Sequence, residues 1–343
     1  MRFALAVSGG GDSLALMHLV AAWTAKRRVK PPVLTVDHGL QKQSATNAHR
    51  VATWARAVGL EGVVLRVARK DIPQTNIEDA AREARYRLMG DWCRTHNIAA
   101  LLLAHTRDDQ AETFLLRLAR GSGVDGLSAM RPRSGFPFGE GPVLIRPLLG
   151  FSRAELRNYL RERHIGWIED PMNADPRFAR VKMRALLPAL AEAGLSTERI
   201  AAAADHLSRA RRALEEQTDA FLTVSARVQP GSALLDGVAL RRLPREIGLR
   251  ALAGALDAVG RGGGYRPRFA RLERLFDALA AEAFRGATLG GAGWRPRLSV
   301  SKPLARERWQ LSRSVRAGPT AGKMAVPKNN AGKGGVPPVA RNS

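Results

Sequence analysis

One cysteine, Cys93, is all that the 343 residues contain. An internal disulfide, a Cys-rich zinc site and a CxxC redox pair are therefore excluded. No run approaches the roughly 20 consecutive apolar residues of a membrane helix, and the short apolar segment after Met1 meets a glycine loop by Gly9. The chain reads as cytoplasmic, with no membrane partner. Acids are scarce as well: 31 Asp and Glu face 55 Lys and Arg, a net charge of +24. Such an excess costs self-repulsion in a compact state, and nucleic acid is the natural compensating partner, although a general arginine bias would also scatter charge in this way. With 45% hydrophobic and 25% charged residues the chain is globular, and its length suggests two domains.

The first half alternates short apolar runs with segments of helical period, the pattern of βα units on a parallel sheet. Phe3 to Val7, Val33 to Val36, Val63 to Val67, Ala99 to Ala104 and Val143 to Leu148 read as strands. Helices are expected over Ser13 to Trp23, Ser44 to Val58, Asn76 to His96 and Asp108 to Ala119. A further helix should start after Ser152, with Glu155 in the capping-box position. From about Leu186 strand signals thin out. Ile200 to Leu222, Ile247 to Val259 and Phe269 to Ala283 read as helices, and Ala287 to Leu311 as a small hairpin. The expected organisation is a catalytic domain over 1–190, a second, mainly α-helical domain over 191–312, and a basic tail over 313–343. The tail has six Lys or Arg, five Gly, four Pro and no acid. That composition predicts disorder.

Between the first strand and the first helix lies Ser8-Gly9-Gly10-Gly11-Asp12-Ser13. Glycines let backbone N–H groups close on phosphate oxygens, and a helix N-terminus adds unpaired donors and a favourable dipole. Ser8 and Ser13 can add hydroxyls, and Asp12 can help hold a metal that bridges the phosphates. A Walker loop would need Lys where Asp12 stands, and a dinucleotide fingerprint from Gly9 would need glycine in place of Leu14. A plain strand-to-helix turn would need fewer glycines.

Asp37-His38-Gly39-Leu40 follows the second strand, on the sheet edge where open α/β sheets bind ligands. A short polar turn would look the same. After the fourth strand comes His105-Thr-Arg-Asp-Asp-Gln-Ala-Glu-Thr113, which places Asp108, Asp109 and Glu112 on one helical face. Like charges so placed repel, a cost more readily understood if Mg²⁺ or a cationic substrate sits among them. An acidic first turn serving the helix dipole accounts for Asp108 and Asp109 but less well for Glu112. Arg177, Arg180, Lys182 and Arg184 form a dense basic stretch suited to RNA phosphates, or to a solvated helix face.

The SGGxDS pattern after the first strand resembles the phosphate loop of the ATP pyrophosphatases, which cleave ATP between its α and β phosphates. The HxxDDQAET string, the following Phe114 to Gly123 and Gly126 to Met130, Arg146-Pro-Leu-Leu149, Trp167 to Asp170 with Asn173, and Phe178 to Arg184 before Leu186-Leu-Pro188 narrow this further. Together with Glu78 to Tyr86 they resemble the tRNA(Ile)-lysidine synthase family over roughly the first 190 residues. One departure is Arg180-Val181, where the family usually has Arg-Asn.

The resemblance implies an α/β, Rossmann-like adenine-nucleotide-binding (PP-loop) domain with ATP and Mg²⁺ as cofactors. It implies a carbon–nitrogen ligase that joins L-lysine to C2 of the wobble cytidine of a tRNA(Ile) with anticodon CAU, through an adenylated base, and a homodimer as the assembly. ATP would lie on Ser8, Gly9, Gly10, Gly11, Asp12 and Ser13, with Asp37 and His38 near the adenosine. Asp12 and Asp108 would serve the metal. Asp109 or Glu112 would bind the lysine amine and assist its deprotonation, and Arg82 or Arg85 would steady phosphate or the activated base. Competing readings are a tRNA 2-thiolase on the same domain, which a lone Cys93 does not equip, a noncatalytic ATP-dependent RNA-binding module, and a small-molecule amide synthetase.

Overall fold

A computed structural model describes residues 2–27, 29–39, 43–67, 77–169, 175, 177, 179–229, 232–259, 269–280, 287–289, 297–301 and 308–314. The expected tail from 315 onward, and Leu40, Asp170, Asn173 and Phe178, lie outside the described residues. The chain divides into two compact units, Met1–Ala213 and Leu214–Ser343. The sequence reading placed the domain boundary after residue 190.

The first unit runs β1 (Phe3–Ala6), α1 (Gly11–Ala25), β2 (Pro32–Asp37), α2 (Ser44–Ala57), β3 (Glu61–Arg66), α3 (Ile77–Thr95), β4 (Ala100–Leu102) and α4 (Arg107–Leu118). It continues with α5 (Val124–Leu127), β5 (Arg133–Ser134), β6 (Val143–Ile145), α6 (Arg153–Arg161), α7 (Ala179–Glu192) and the start of α8 (Thr197–Ser225). The strand order is β3-β2-β1-β4-β6-β5, parallel throughout except for β5 against β6. The chain builds outward from β1 through β2 to β3, then returns to place β4 on the other side of β1. Beyond the carboxyl ends of β1 and β4, such a reversal opens the crevice in which α/β sheets bind ligands.

The core sets this arrangement. Leu5, Leu14, Leu16, Met17, Val33 and Leu160 are packed in one cluster, and Leu34, Tyr86, Met89, Leu101 and Leu144 in another. Burial of each large side chain contributes about 1.5–3 kcal/mol. The helix α1 is enclosed early, with Gly11 and Ser13 to Met17 all buried. Its sequence accordingly lacks the one-sided stripe of a surface helix. Close packing of α2 on β3 depends on Gly62, where a Cβ would fall 2.4 Å from the Ala52 carbonyl oxygen. The predicted cap of α6 is present: Ser152 Oγ accepts from Glu155 N–H (3.1 Å), and Glu155 Oε2 accepts from Ser152 N–H (2.6 Å).

The second unit contains the end of α8, then β7 (Ala226–Gln229), β8 (Ser232–Asp236), α9 (Gly237–Arg241), α10 (Arg245–Val259), α11 (Phe269–Ala280), β9 (Ala287–Leu289), β10 (Arg297–Ser301) and β11 (Arg308–Ser314). Its antiparallel sheet, ordered β7-β8-β11-β10-β9, contains more than the hairpin that the sequence suggested. Strand β11 includes Arg313 and Ser314, which the sequence assigned to the tail. Leu235, Leu240, Leu252, Leu279 and Leu311 form the centre of its core.

Candidate active site

The phosphate loop follows β1 directly. Gly9 adopts φ +93°, and a Cβ there would lie 2.7 Å from Ile168 Cδ1 and 2.9 Å from Val51 Cγ2. Glycine is required at this position by both backbone and space. A Cβ on Gly10 would touch nothing nearer than Ser8 Oγ at 3.8 Å, so packing within the protein does not demand glycine there. What Gly10 leaves open is room for a ligand to approach the backbone. Gly10 is also the N-cap of α1 and supplies no side-chain cap, so the helix end presents its N–H groups to an anion. Ser13, buried, ties the loop together: its Oγ–H donates to Gly10 O (2.8 Å) while Oγ accepts from Gly9 N–H (3.2 Å) and Ser8 N–H (3.3 Å). The loop is anchored from outside by Ile168 N–H, which donates to Gly9 O (2.9 Å).

On the neighbouring strand end, Asp37 Oδ1 accepts from Gly39 N–H (3.1 Å). A hydrogen bond from Ser44, joined by that from Gly39, holds its carboxyl below the usual range and keeps it ionised. His38 is half-buried beside it.

The acids lie at the mouth of β4. Thr106 caps α4, and Asp109 completes a capping box: Asp109 Oδ2 accepts from Thr106 N–H (2.8 Å) and Thr106 Oγ1–H (3.0 Å), while Asp109 N–H donates to Thr106 Oγ1 (3.3 Å). Arg153, at the start of α6, brings the acids together. Its Nε donates to Asp12 Oδ2 (3.2 Å), Nη2 to Asp109 Oδ1 (3.1 Å) and Nη1 to Glu112 Oε1 (3.4 Å), and its backbone N–H donates to Asp108 Oδ2 (2.8 Å). Arg184 Nε reaches the same Glu112 Oε1 (2.9 Å). Three carboxylates thus meet two guanidinium groups, and a fourth, Asp108, is held by a backbone N–H.

Burial raises the Asp12 pKa against the opposing pull of Arg153. Burial also works against the charge of Arg153, but Asp109, Glu112 and Asp12 outweigh it and raise the guanidinium pKa. Two oxygens in this group, Asp12 Oδ1 and Glu112 Oε2, are buried without a hydrogen-bond partner. Glu112 is wholly buried. Among the described residues no group of three or more His, Cys, Asp or Glu is arranged to hold a metal unaided. Asp12 Oδ1 nevertheless suits a hard cation completed by phosphate oxygens, the usual mode for Mg²⁺.

The other expected residues are dispersed. Arg82 stacks on Tyr86, its Cζ 5.1 Å from the ring centroid. Burial lowers the Arg85 pKa, and Arg82 and Arg180 act on it in the same direction. His105 lies among Asp109, Arg146, Arg180 and Arg82, and burial pushes its pKa down to about 4, so the ring is neutral at pH 7. Arg177 is 84% exposed and paired with Asp175 (2.6 Å), and Lys182 is exposed on α7. The basic stretch therefore does not act as one face, because Arg184 turns inward to Glu112. Sequence reading missed Arg153. A cation at the first position of a helix has the wrong sign for that end, and this was the available signal.

A family model described as a PP-loop domain matches residues 1–190. The tRNA(Ile)-lysidine synthase of Ruegeria pomeroyi is 43% identical over 84% of this chain and 68% of its own length. That of Wolbachia pipientis wMel is 40% identical over 81% of this chain and 64% of its own length, and that of Bradyrhizobium sp. (strain BTAi1) 42% identical over 85% and 82%. The chain thus spans about two thirds of the first two relatives and four fifths of the third. No helix among the described residues is long and apolar enough to cross a membrane. With its phosphate loop, its acid group on α4 and these relatives, the chain belongs to the tRNA(Ile)-lysidine synthase family of PP-loop proteins, carbon–nitrogen ligases.

Proposed function

We propose that the protein joins L-lysine to C2 of the wobble cytidine of a tRNA(Ile) with anticodon CAU, using ATP and releasing AMP and pyrophosphate. The observation that carries this reading is Glu112, a wholly buried carboxylate with Oε2 unpartnered, linked through one guanidinium to Asp12 of the phosphate loop. An ammonium group placed there is next to the nucleotide.

The loop and the N-terminus of α1 would bind the ATP phosphates and stabilise charge developing at the α-phosphate. The C2 oxygen of cytosine attacks that phosphorus and pyrophosphate leaves. Mg²⁺, when bound at Asp12 Oδ1, would neutralise phosphate charge. The lysine ε-amine then forms its bond to C2, and the C2–O bond to AMP breaks. An amine with an ordinary pKa of about 10.4 must first lose a proton, and Glu112 Oε2 is placed to accept it. Asp109 has both oxygens engaged, by Thr106 and by Arg153, so its task is to shape the site.

Arg180 and Lys182 are assigned to tRNA phosphates, and residues 191–312 to further tRNA contacts. Arg177 stands beside them with its charge already matched by Asp175. A 2-thiolase is disfavoured, because Cys93 is buried and burial pushes its thiol up to about 12, leaving no thiolate to carry sulfur.

The test is incorporation of radiolabelled lysine into a tRNA(Ile) transcript with anticodon CAU in the presence of ATP and Mg²⁺, beside a transcript with uridine at the wobble position. Label in the first alone, with matching AMP and pyrophosphate, is expected. Turnover of ATP with tRNA but no lysine label would refute the assignment.

A further inference from the structure

The acids beside the phosphate loop already hold a cation of the protein's own. Arg153 divides its three guanidinium nitrogens among Asp12, Asp109 and Glu112 and gives its backbone N–H to Asp108. Its location opposes the α6 dipole, and the apolar anchors of α6 are Leu156 and Leu160, so neither helix stability nor core packing accounts for an arginine there. Attraction to the acids does account for it. Yet the acids remain incompletely satisfied, since Asp12 Oδ1 and Glu112 Oε2 are buried without partners. Without the guanidinium, these three carboxylates would lose the cation that they share.

We infer that Arg153 is a positioning residue that acts as a resident counter-cation, keeping cationic ligands out of the acid group until the nucleotide is in place. ATP bound at Gly9 to Gly11 brings phosphate charge next to Asp12 and draws the guanidinium toward itself. Glu112 then loses part of its internal partner and becomes able to accept an ammonium group at its unpartnered Oε2. Binding is ordered as a result, nucleotide first and lysine second. An amine that entered early would meet a site already neutralised and have nothing to react with. The lysine part of this inference rests on the proposed function; the exclusion of cations in general does not.

Calorimetric titration of the full chain tests it. L-lysine is titrated into the wild-type protein alone and with α,β-methylene ATP plus Mg²⁺. Lysine, and separately Mg²⁺ alone, are titrated without nucleotide into wild type, Arg153→Met and Arg153→Lys. The analogue should tighten lysine binding to wild type by about tenfold, within the range usual for coupled sites. Arg153→Met should bind both lysine and Mg²⁺ about tenfold more tightly than wild type without nucleotide, a gain of the size seen for coupled sites, whereas Arg153→Lys, which keeps the charge, should not. A site merely loosened by mutation would lose affinity and not gain it.

If Arg153→Met gains affinity for neither cation, the inference is overturned. If it gains Mg²⁺ while lysine binds no form of the protein, the lysine reading fails and the counter-cation role stands. Should Arg153→Met not fold, the wild-type titration decides, and lysine affinity unchanged by the analogue overturns the ordering.

Discussion

Replacing Asp109 by Asn should damage the fold, whereas replacing Glu112 by Gln, three residues along the same helix, should damage the chemistry. Asp109 Oδ2 takes two hydrogen bonds from Thr106, and Oδ1 takes one from Arg153. An asparagine can satisfy only one of these groups, and its amide N–H would face donors on the other side. Loss of a capping interaction costs about 0.5–2 kcal/mol, and leaving a buried donor unmatched costs about 1–3 kcal/mol. These terms overlap, so the net destabilisation should be about 2 kcal/mol. In a unit of this size that lowers the melting temperature by about 4–8 °C. Glu112→Gln leaves Arg153 with Asp12 and Asp109, and Arg184 is exposed enough to find water. Its melting temperature should shift by less than about 2 °C, corresponding to ~0.5 kcal/mol. Calorimetry gives the melting temperatures, and tRNA-dependent pyrophosphate release against lysine incorporation separates the two chemical steps. Glu112→Gln should release pyrophosphate and fail to incorporate lysine; Asp109→Asn, assayed well below its melting temperature, should retain both in part. An unchanged melting temperature for Asp109→Asn, or full lysine incorporation by Glu112→Gln, would refute this division of roles.

The neutral His105 predicts a pH dependence. Its pKa is about 4 in the folded state, below the ordinary 6.5 of the unfolded chain, so the unfolded chain binds the extra proton as pH falls. The contribution is present above pH 6.5 and is lost progressively between about 6.5 and 4, amounting to about 3 kcal/mol. In urea melts across that window the stability of wild type relative to His105→Gln should fall as pH falls, and a constant difference between the two would count against it. Gly9→Ala should abolish ATP binding, because the added Cβ collides with Ile168 and Val51 at a backbone angle that alanine avoids; retained nucleotide affinity by fluorescence titration would contradict this. In tRNA binding, Lys182→Ala should reduce the salt slope by about 0.7–1, and Arg177→Ala should reduce it less, since Asp175 already matches the Arg177 charge. Equal slopes for the two variants would remove the distinction.

The parallel sheet was legible because short continuous apolar runs, the mark of strands buried on both faces, alternate with longer helical segments, and because Gly9 and the Ser152/Glu155 box mark helix starts by local chemistry. Strand β5 was not, being only Arg133–Ser134 and held by β6 rather than by any pattern of its own. The sheet of the second unit was largely hidden for a similar reason: α8 passes into β7 between Ser225 and Ala226 with no glycine or proline to mark the change. Within the site, the phosphate loop and the acid face of α4 follow from helical spacing and backbone geometry. The Arg153–Asp12 contact links residues 141 positions apart, and no periodicity encodes it. Arg184 misleads in the opposite direction. In sequence it is one of four basic residues in a row suited to RNA, and only the contact of α7 with α4 reveals that it reaches Glu112.

That contact changes what a loss of function would mean. An Arg184→Ala variant would have been read as a tRNA-binding defect, with weaker affinity and a smaller salt slope. If Arg184 instead serves Glu112, the slope should stay at the wild-type value, because no phosphate contact is lost. The lysine-dependent step should slow while tRNA affinity is retained. A filter-binding series over salt, run beside lysine incorporation at saturating tRNA, distinguishes the two. A slope reduced by about 0.7–1 would return Arg184 to the RNA-binding surface.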